Sequence, residues 1–162
     1  MDKKRILMKK ELQDIQLACF CLEDNLFAVD IMRIKEIIQP QKLSSLPRSS
    51  LLLEGVLNLR GIVIPVMNLR KLFGMTPLAA GKSGKLLIVN LSRQQMLALA
   101  VDDIMEVITI PASEIKPPPD LDEWVGVEYL LGLCLSDEQV FMILNIDALV
   151  CPVDYREIAD IN

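Results

Sequence analysis

The feature that most constrains this chain is that it repeats itself. Residues 54–74, EGVLNLRGIVIPVMNLRKLFG, hold two short apolar runs separated by Arg60-Gly61 and ended by Asn68. Glycine takes a positive φ without steric cost, so a Gly between β-branched runs suits a tight turn. Asn68 is placed to cap a short helix from Leu69 to Phe73. The stretch therefore reads strand, turn, strand, helix. Moved 77 positions without a gap, Gly55 falls on Gly132, Leu57 on Cys134, Pro65 on Met142, Asn68 on Asn145 and Leu72 on Leu149. Upstream, ACFCLEDNLFAVDIMRIKEII (18–38) resembles LIVNLSRQQMLALAVDDIMEVI (87–108) with gaps. In both, an apolar run closes on Val-Asp (Val29-Asp30, Val101-Asp102), and the segment ends in Glu-apolar-Ile (Glu36-Ile37-Ile38, Glu106-Val107-Ile108). The chain is a duplication of a unit of roughly 70 residues, a period too long for a solenoid.

Each unit offers short strands at close spacing and little helix, which argues for two small antiparallel barrels packed together. The first is expected over 16–74 and the second over 86–150. Between them lies a linker at 75–85 containing Pro77, Gly81, Ser83 and Gly84. In the first unit, 16–23 and 26–31 form a hairpin about Asp24-Asn25. Ile31, Ile34, Ile37 and Ile38 then recur at helical spacing until Pro40, with Arg33, Lys35 and Glu36 on other faces. Residues 42–47 read as extended, and Arg48-Ser49-Ser50 as the cap of a helical turn over 51–54. In the second unit, strands are expected at 86–91, 96–101, 106–110, 127–135 and 140–144. A helical or kinked piece should start at Asp102, and a helix should cover 145–150. Continuous apolar runs at 62–67 and 140–144 imply that the faces between the barrels are buried as well.

Composition removes most chemistry. With 162 residues, 52% of them hydrophobic, there is ample material for one domain or two small ones sharing a core. No apolar run approaches the ~18 residues of a membrane span. Met1-Asp2-Lys3-Lys4-Arg5 with a broken apolar run behind it argues against a signal peptide, so a cytosolic protein is expected. Residues 1–15 carry Lys3, Lys4, Arg5, Lys9 and Lys10 among Ile6, Leu7, Leu12 and Ile15. A frayed end, a short amphipathic helix and a weak membrane contact are all open there. Residues 151–162 form a polar tail.

Cys19, Cys21, Cys134 and Cys151 make no CxxC pair, and the chain has no histidine. The cysteines read as buried small hydrophobes, and the usual general base and commonest metal ligand are absent. The carboxylates Asp102-Asp103, Asp120, Asp122-Glu123 and Asp137-Glu138 read as solvated turn residues. Gly81-Lys82-Ser83 fails as a P-loop, because Thr76 stands where the earlier glycine is needed. No catalytic, cofactor or metal site is expected. A net charge of -5 and only seven aromatic residues argue against a nucleic-acid partner. A domain of this kind works by binding.

GVLNLRGIVIPVMNLRKLFG, preceded by FAVDIMRIKEII and followed by VDDIMEVITIPASEIKPPP and EYLLGLCL…MILNIDALV, resembles the chemotaxis coupling protein family, CheW. The resemblance covers residues 16–150, and Asn58-Leu59-Arg60-Gly61 in this setting is its most specific element. It implies two intertwined SH3-like five-stranded β-barrels. It also implies a non-enzymatic adaptor that joins the cytoplasmic tips of chemoreceptors to the regulatory domain of a CheA-type histidine kinase, in arrays at the inner face of the membrane. Its partner-binding positions match Ile34, Glu36, Ile37, Gly55, Asn58, Arg60 and Gly61, with Val101 and Ile104 across a groove between the barrels. Arg60 at a turn is suited to meet a carboxylate bidentately. The chain departs from the family pattern at Arg48-Ser49-Ser50-Leu51, at Asp103 where glycine is common, and at Ser136-Asp137.

Three other readings compete. The same module in a chemosensory pathway controlling surface motility or gene expression would look alike in sequence. An enzyme or small-molecule binder would need a deep polar pocket that no constellation here lines. An SH3- or OB-like nucleic-acid binder is opposed by charge.

Overall fold

A computed structural model describes residues 13–45, 52–77, 84–118 and 126–150, without the side chains of Arg93 and Val150. Ten strands lie within these residues. In chain order they are β1 (Asp14–Leu22), β2 (Asn25–Asp30), β3 (Ile34–Ile38), β4 (Leu53–Leu59), β5 (Ile62–Asn68), β6 (Lys85–Asn90), β7 (Met96–Val101), β8 (Asp103–Pro111), β9 (Leu130–Ser136) and β10 (Gln139–Leu144). One helix, α1 (Leu69–Leu72), follows β5. No helix among the described residues is long and apolar enough to cross a membrane.

The strands form two five-stranded sheets, ordered β8-β1-β2-β10-β9 and β3-β6-β7-β5-β4. The sheets are not the two halves of the duplication, because each draws strands from both sides of the 75–85 segment. Exchanging β1 to β5 with β6 to β10 turns one order into the other, so the fold carries the duplication as a pseudo-two-fold. The chain crosses between sheets at the two Val-Asp steps. At the first, Asp30 accepts the Met32 amide (2.9 Å) and caps a 3-10 turn, Ile31–Arg33, that redirects the chain into β3. At the second, Asp102 forms the bend between β7 and β8.

Burial explains the continuous apolar runs. Ile88 and Ala98 point into one sheet's own interior with Leu57, Ile64, Val66 and Leu86. Cys19 and Ala28 do the same in the other, with Leu17, Ile108, Ile110, Cys134, Phe141 and Ile143. The alternate residues, Phe20, Phe27, Val29, Leu87, Val89, Leu97, Leu99 and Val101 among them, fill a shared core between the sheets. A strand with both faces buried loses the period-two polarity of a one-sided strand.

Each sheet curls until its edges meet. Ser44, beyond β3, pairs with Val56 of β4, and Lys116, beyond β8, pairs with Leu133 of β9. The aligned glycines make room for this. A Cβ at Gly55 would overlap the Ser44 carbonyl oxygen, and one at Gly132 the Lys116 carbonyl oxygen.

Several local expectations are corrected. Residues 34–38, expected to be helical, are strand β3, paired to β6. Isoleucines at 34, 37 and 38 fit a helical period, but β-branched side chains pack better on a pleated surface, and the 3-10 turn absorbs the offset. Leu53 and Glu54 open β4 rather than a helical turn, and of the helical or kinked piece expected from Asp102 the structure has the kink, a bend at Asp102 ahead of β8. Residues 127–129 are a 3-10 turn ahead of β9, and Ile146–Val150 is 3-10 rather than α. The first hairpin turns at Glu23 (φ 56), one residue earlier than expected. The basic N-terminal stretch 1–12, the Arg48-Ser49-Ser50 cap, Asp120, Asp122-Glu123, Gly81-Lys82-Ser83 and the tail lie outside the described residues.

Candidate functional site

The turn between β4 and β5 is built by Arg60 (φ 51) and Gly61 (φ 86). Two successive positive φ values make the two-residue turn whose twist matches a hairpin. Asn58 fixes it, its Oδ1 accepting the Gly61 amide at 2.9 Å. The same turn recurs between β9 and β10 at Asp137 (φ 49) and Glu138 (φ 65), the aligned residues.

Arg60 does not stand free. Its guanidinium meets Glu36 of β3 bidentately, Nη2 to Oε2 at 2.6 Å and Nη1 to Oε1 at 3.3 Å. The hydrogen bond from Arg60 holds the Glu36 carboxyl below its ordinary range, and the same bond raises Arg60. Because β3 and β4 are the two edges of one sheet, this pair staples them on the outer surface, with the Arg60 side chain 68% exposed. Ile37, next to Glu36, and Ile62, next to the turn, are both exposed. Glu36, paired with Ile88, and Ile37, paired with Leu87, point to opposite faces of β3, and Ile62 pairs with Leu59 beside the turn.

The structure thus brings Glu36, Asn58, Arg60 and Gly61 to one place, with Ile37 on the opposite face of β3. The other residues singled out in the sequence sit differently. Val101 is buried at 2% exposure in the shared core, with Ile34 and Ile104 packed against it. Ile34 is the first residue of β3 and Ile104 the second of β8, equivalent strands of the two sheets. Gly55 is buried backbone at the sheet closure.

Sequence reasoning missed two polar clamps between the sheets. Arg70 of α1, 9% exposed, donates Nε to Asp102 Oδ1 (2.7 Å) and Nη2 to Asp102 Oδ2. It also donates Nη1 to Glu23 Oε1 (3.1 Å) and to the Thr76 carbonyl (2.8 Å). Asp102 further accepts the Glu23 amide at 2.7 Å. It is therefore no solvated turn residue; the hydrogen bond from Arg70 outweighs burial and lowers its carboxyl. In the other clamp, Arg33 Nη2 reaches Asp147 Oδ1 (2.6 Å), its Nε donates to the Asn90 carbonyl (3.0 Å), and Ser92 donates to Asp147 (3.0 Å). Asp147 is lowered by the hydrogen bond from Arg33. Under the 77-residue shift Arg70 falls on Asp147, whereas Arg33 lies three residues beyond Asp30, the residue aligned with Asp102, so the two clamps share one aligned position and differ in the other. The repeated Val-Asp step was the available signal.

The thiols take no part in this surface. Burial pushes Cys19 up to about 12 and raises Cys21 and Cys134 as well, which keeps them as unreactive thiols.

The model of the CheW-like domain matches residues 16–151. The chemotaxis protein CheW of Treponema pallidum is 28% identical, aligned over 98% of this chain and 95% of its own length. Protein FrzA of Myxococcus xanthus is 25% identical over 98% of this chain and 99% of its own. The crystal structure of the scaffolding protein TtCheW from Thermoanaerobacter tengcongensis superposes with a TM-score of 0.76 at 28% identity. That superposition covers 85% of this chain and 88% of the other. With the family pattern spanning both sheets and the Asn58–Gly61 turn, the chain belongs to the CheW-like family.

Proposed function

We propose that this chain is a non-enzymatic adaptor that couples chemoreceptors to a CheA-type histidine kinase in bacterial chemotaxis. The observation that carries the reading is the family match across both sheets, 16–151, in a fold that presents the Arg60–Glu36 pair at its surface. In this reading Glu36, Asn58, Arg60 and Gly61, with Ile37 on the other face of the same edge strand, meet the kinase regulatory domain. Ile34, Val101 and Ile104 support a groove for a receptor tip helix, and Gly55 acts through the backbone. A few apolar anchors such as Ile37 supply affinity, while the charges set specificity. The protein acts in the cytoplasm, at receptor arrays. Reconstitution tests this: receptor vesicles and the kinase from the same organism should show receptor-controlled phosphorylation only when this chain is added. Equal control without it contradicts the proposal.

The similarity to Protein FrzA over nearly the whole chain is compatible with a second reading. This is the same adaptor serving a chemosensory pathway with another output, surface motility or gene regulation. Capture of a kinase and receptors from the same gene neighbourhood separates the two.

A further inference from the structure

The duplication supplies an internal reference for each surface of the two sheets. On the outer face of β9 and β10, Leu131, Leu135 and Val140 are 55%, 62% and 54% exposed. Leu135 pairs with Val140, and half-buried Leu133 with Met142, so these side chains share one face. Shifted by 77 positions, Leu131 falls on Glu54, Leu133 on Val56, Leu135 on Asn58, Val140 on Val63 and Met142 on Pro65. In that other sheet the two exposed positions are polar and engaged. Glu54 accepts from Asn68 at 2.7 Å and pairs with Lys71 at 3.1 Å, and Asn58 holds the Gly61 amide. The same backbone thus folds with Glu and Asn where β9 exposes leucines, so packing within the chain does not account for Leu131 and Leu135.

Charge and area say what fits this face. An open depression of about 430 Å³ between it and the β1–β2 turn is lined by Leu26, Leu133, Val140 and Met142, with Asp24 at its rim. Asp24, Asp137 and Glu138 at the hairpin tip, and Glu128 ahead of β9, are all exposed, against Lys116 bridged to Leu133. Among the described residues none of these four carboxylates is in an ion pair. Three side chains each about half exposed offer roughly 300 Å² of apolar surface, well short of the ~800 Å² per partner of a stable dimer. A second copy would also bring the same carboxylates against them. A single helix fits better: Leu131 to Leu135 is about 13 Å along the strand, the length of about nine helical residues, which holds anchors at i, i+4 and i+7. We propose that the β9–β10 face is a docking site for a basic amphipathic helix of a partner protein. Its aliphatic anchors lie on Leu131, Leu133, Leu135 and Val140, and its Lys or Arg flanks meet Asp24, Asp137 and Glu138. The site is on the other sheet from Arg60 and Glu36, so it adds to the contacts of the coupling reading and does not rest on them.

The probe is a synthetic peptide of about 18 residues, long enough to be helical, with leucines at i, i+4, i+7 and i+11 and lysines on both flanks. It is titrated into the full chain while methyl and amide spectra are followed. The proposal expects saturable shifts at Leu131, Leu133, Leu135, Val140 and Met142 that weaken as salt rises. Replacing the flanking lysines by glutamates should weaken binding at least about tenfold, and so should the full-length double variant Leu131→Glu, Leu135→Asn. That variant carries at both positions the residues of the β4–β5 face and should keep the amide dispersion of a folded chain. Equal binding of a scrambled peptide overturns the proposal, as do shifts centred on Ile37 and Ile62 or on Ile34 and Ile104. Shifts of the β9–β10 residues that follow protein concentration without peptide overturn it as well, placing a second copy on the face. The peptide comparisons on wild type decide the matter even where the variant fails to fold. Binding of the kinase regulatory domain is measured separately, so either reading can fail alone.

Discussion

Arg60 holds a left-handed backbone conformation that asparagine or glycine would adopt at less cost. Its exposed pair with Glu36 is of the kind that adds little to stability. The side chain is therefore better explained by what it presents than by what it stabilises. Arg60→Ala and Glu36→Ala should each leave the thermal midpoint within about 3 °C of wild type, as surface substitutions do, while weakening a partner. The double exchange Glu36→Arg with Arg60→Glu sharpens this. If the pair is only a staple, the exchange restores binding; we expect it does not, because the partner meets the charges in reversed order. Binding titrations on the three variants decide it.

Asp102 is the opposite case. Asp102→Asn removes the negative charge and one of the two oxygens that accept from Arg70, leaving Glu23 as the guanidinium's ionic partner, and should cost about 2 kcal/mol. The carboxyls of Asp102 and Asp147 are both depressed below the ordinary 3.8 by their arginines. Their contribution is complete above the unfolded value and is lost as the pH falls below about 4 through the folded one. Wild-type stability should therefore drop between pH 5 and pH 3, and Asp102→Asn should show a shallower drop. An equal slope in denaturant titrations across that range would remove the clamp from the account.

At the scale of elements, what was legible was local. The strand-turn-strand-helix reading of 54–74 rested on Arg60-Gly61 and Asn68. Asn68 does cap α1, its Oδ1 accepting the Lys71 amide, as Asn145 does for Ala148 in the second copy. Strand β3 was not legible, because five residues are too few for alternation to beat an equally good 3.6 period. The exchange of strands between sheets was hidden for another reason. It rests on parallel pairings of β2 with β10 and β5 with β7, and no local pattern encodes such distant partners. Gly55, a partner-binding position by the family resemblance, sits where the Ser44 carbonyl leaves no room for a Cβ. Gly55→Val and Gly132→Val should each lower stability by about 2 kcal/mol or more, since carbonyl backbone blocks the new side chain. Gly61→Ala meets nothing within 4 Å and pays only for its φ of 86, about 1 kcal/mol. Chemical denaturation of the three variants checks the order.

For the whole molecule, the pseudo-two-fold gives two ends of the same shape and different chemistry. Arg60-Gly61 at one hairpin corresponds to Asp137-Glu138 at the other, and Arg70 to Asp147. A duplicated fold whose equivalent sites differ in charge is suited to holding two unlike proteins at once, the requirement placed on an adaptor. The most direct test is calorimetric titration of the full chain with the regulatory domain of the CheA homologue from the same organism. The account predicts saturable binding by wild type and at least about tenfold weaker binding by Arg60→Ala, a loss of about 1.4 kcal/mol. A folded wild-type chain that gives no binding would contradict it.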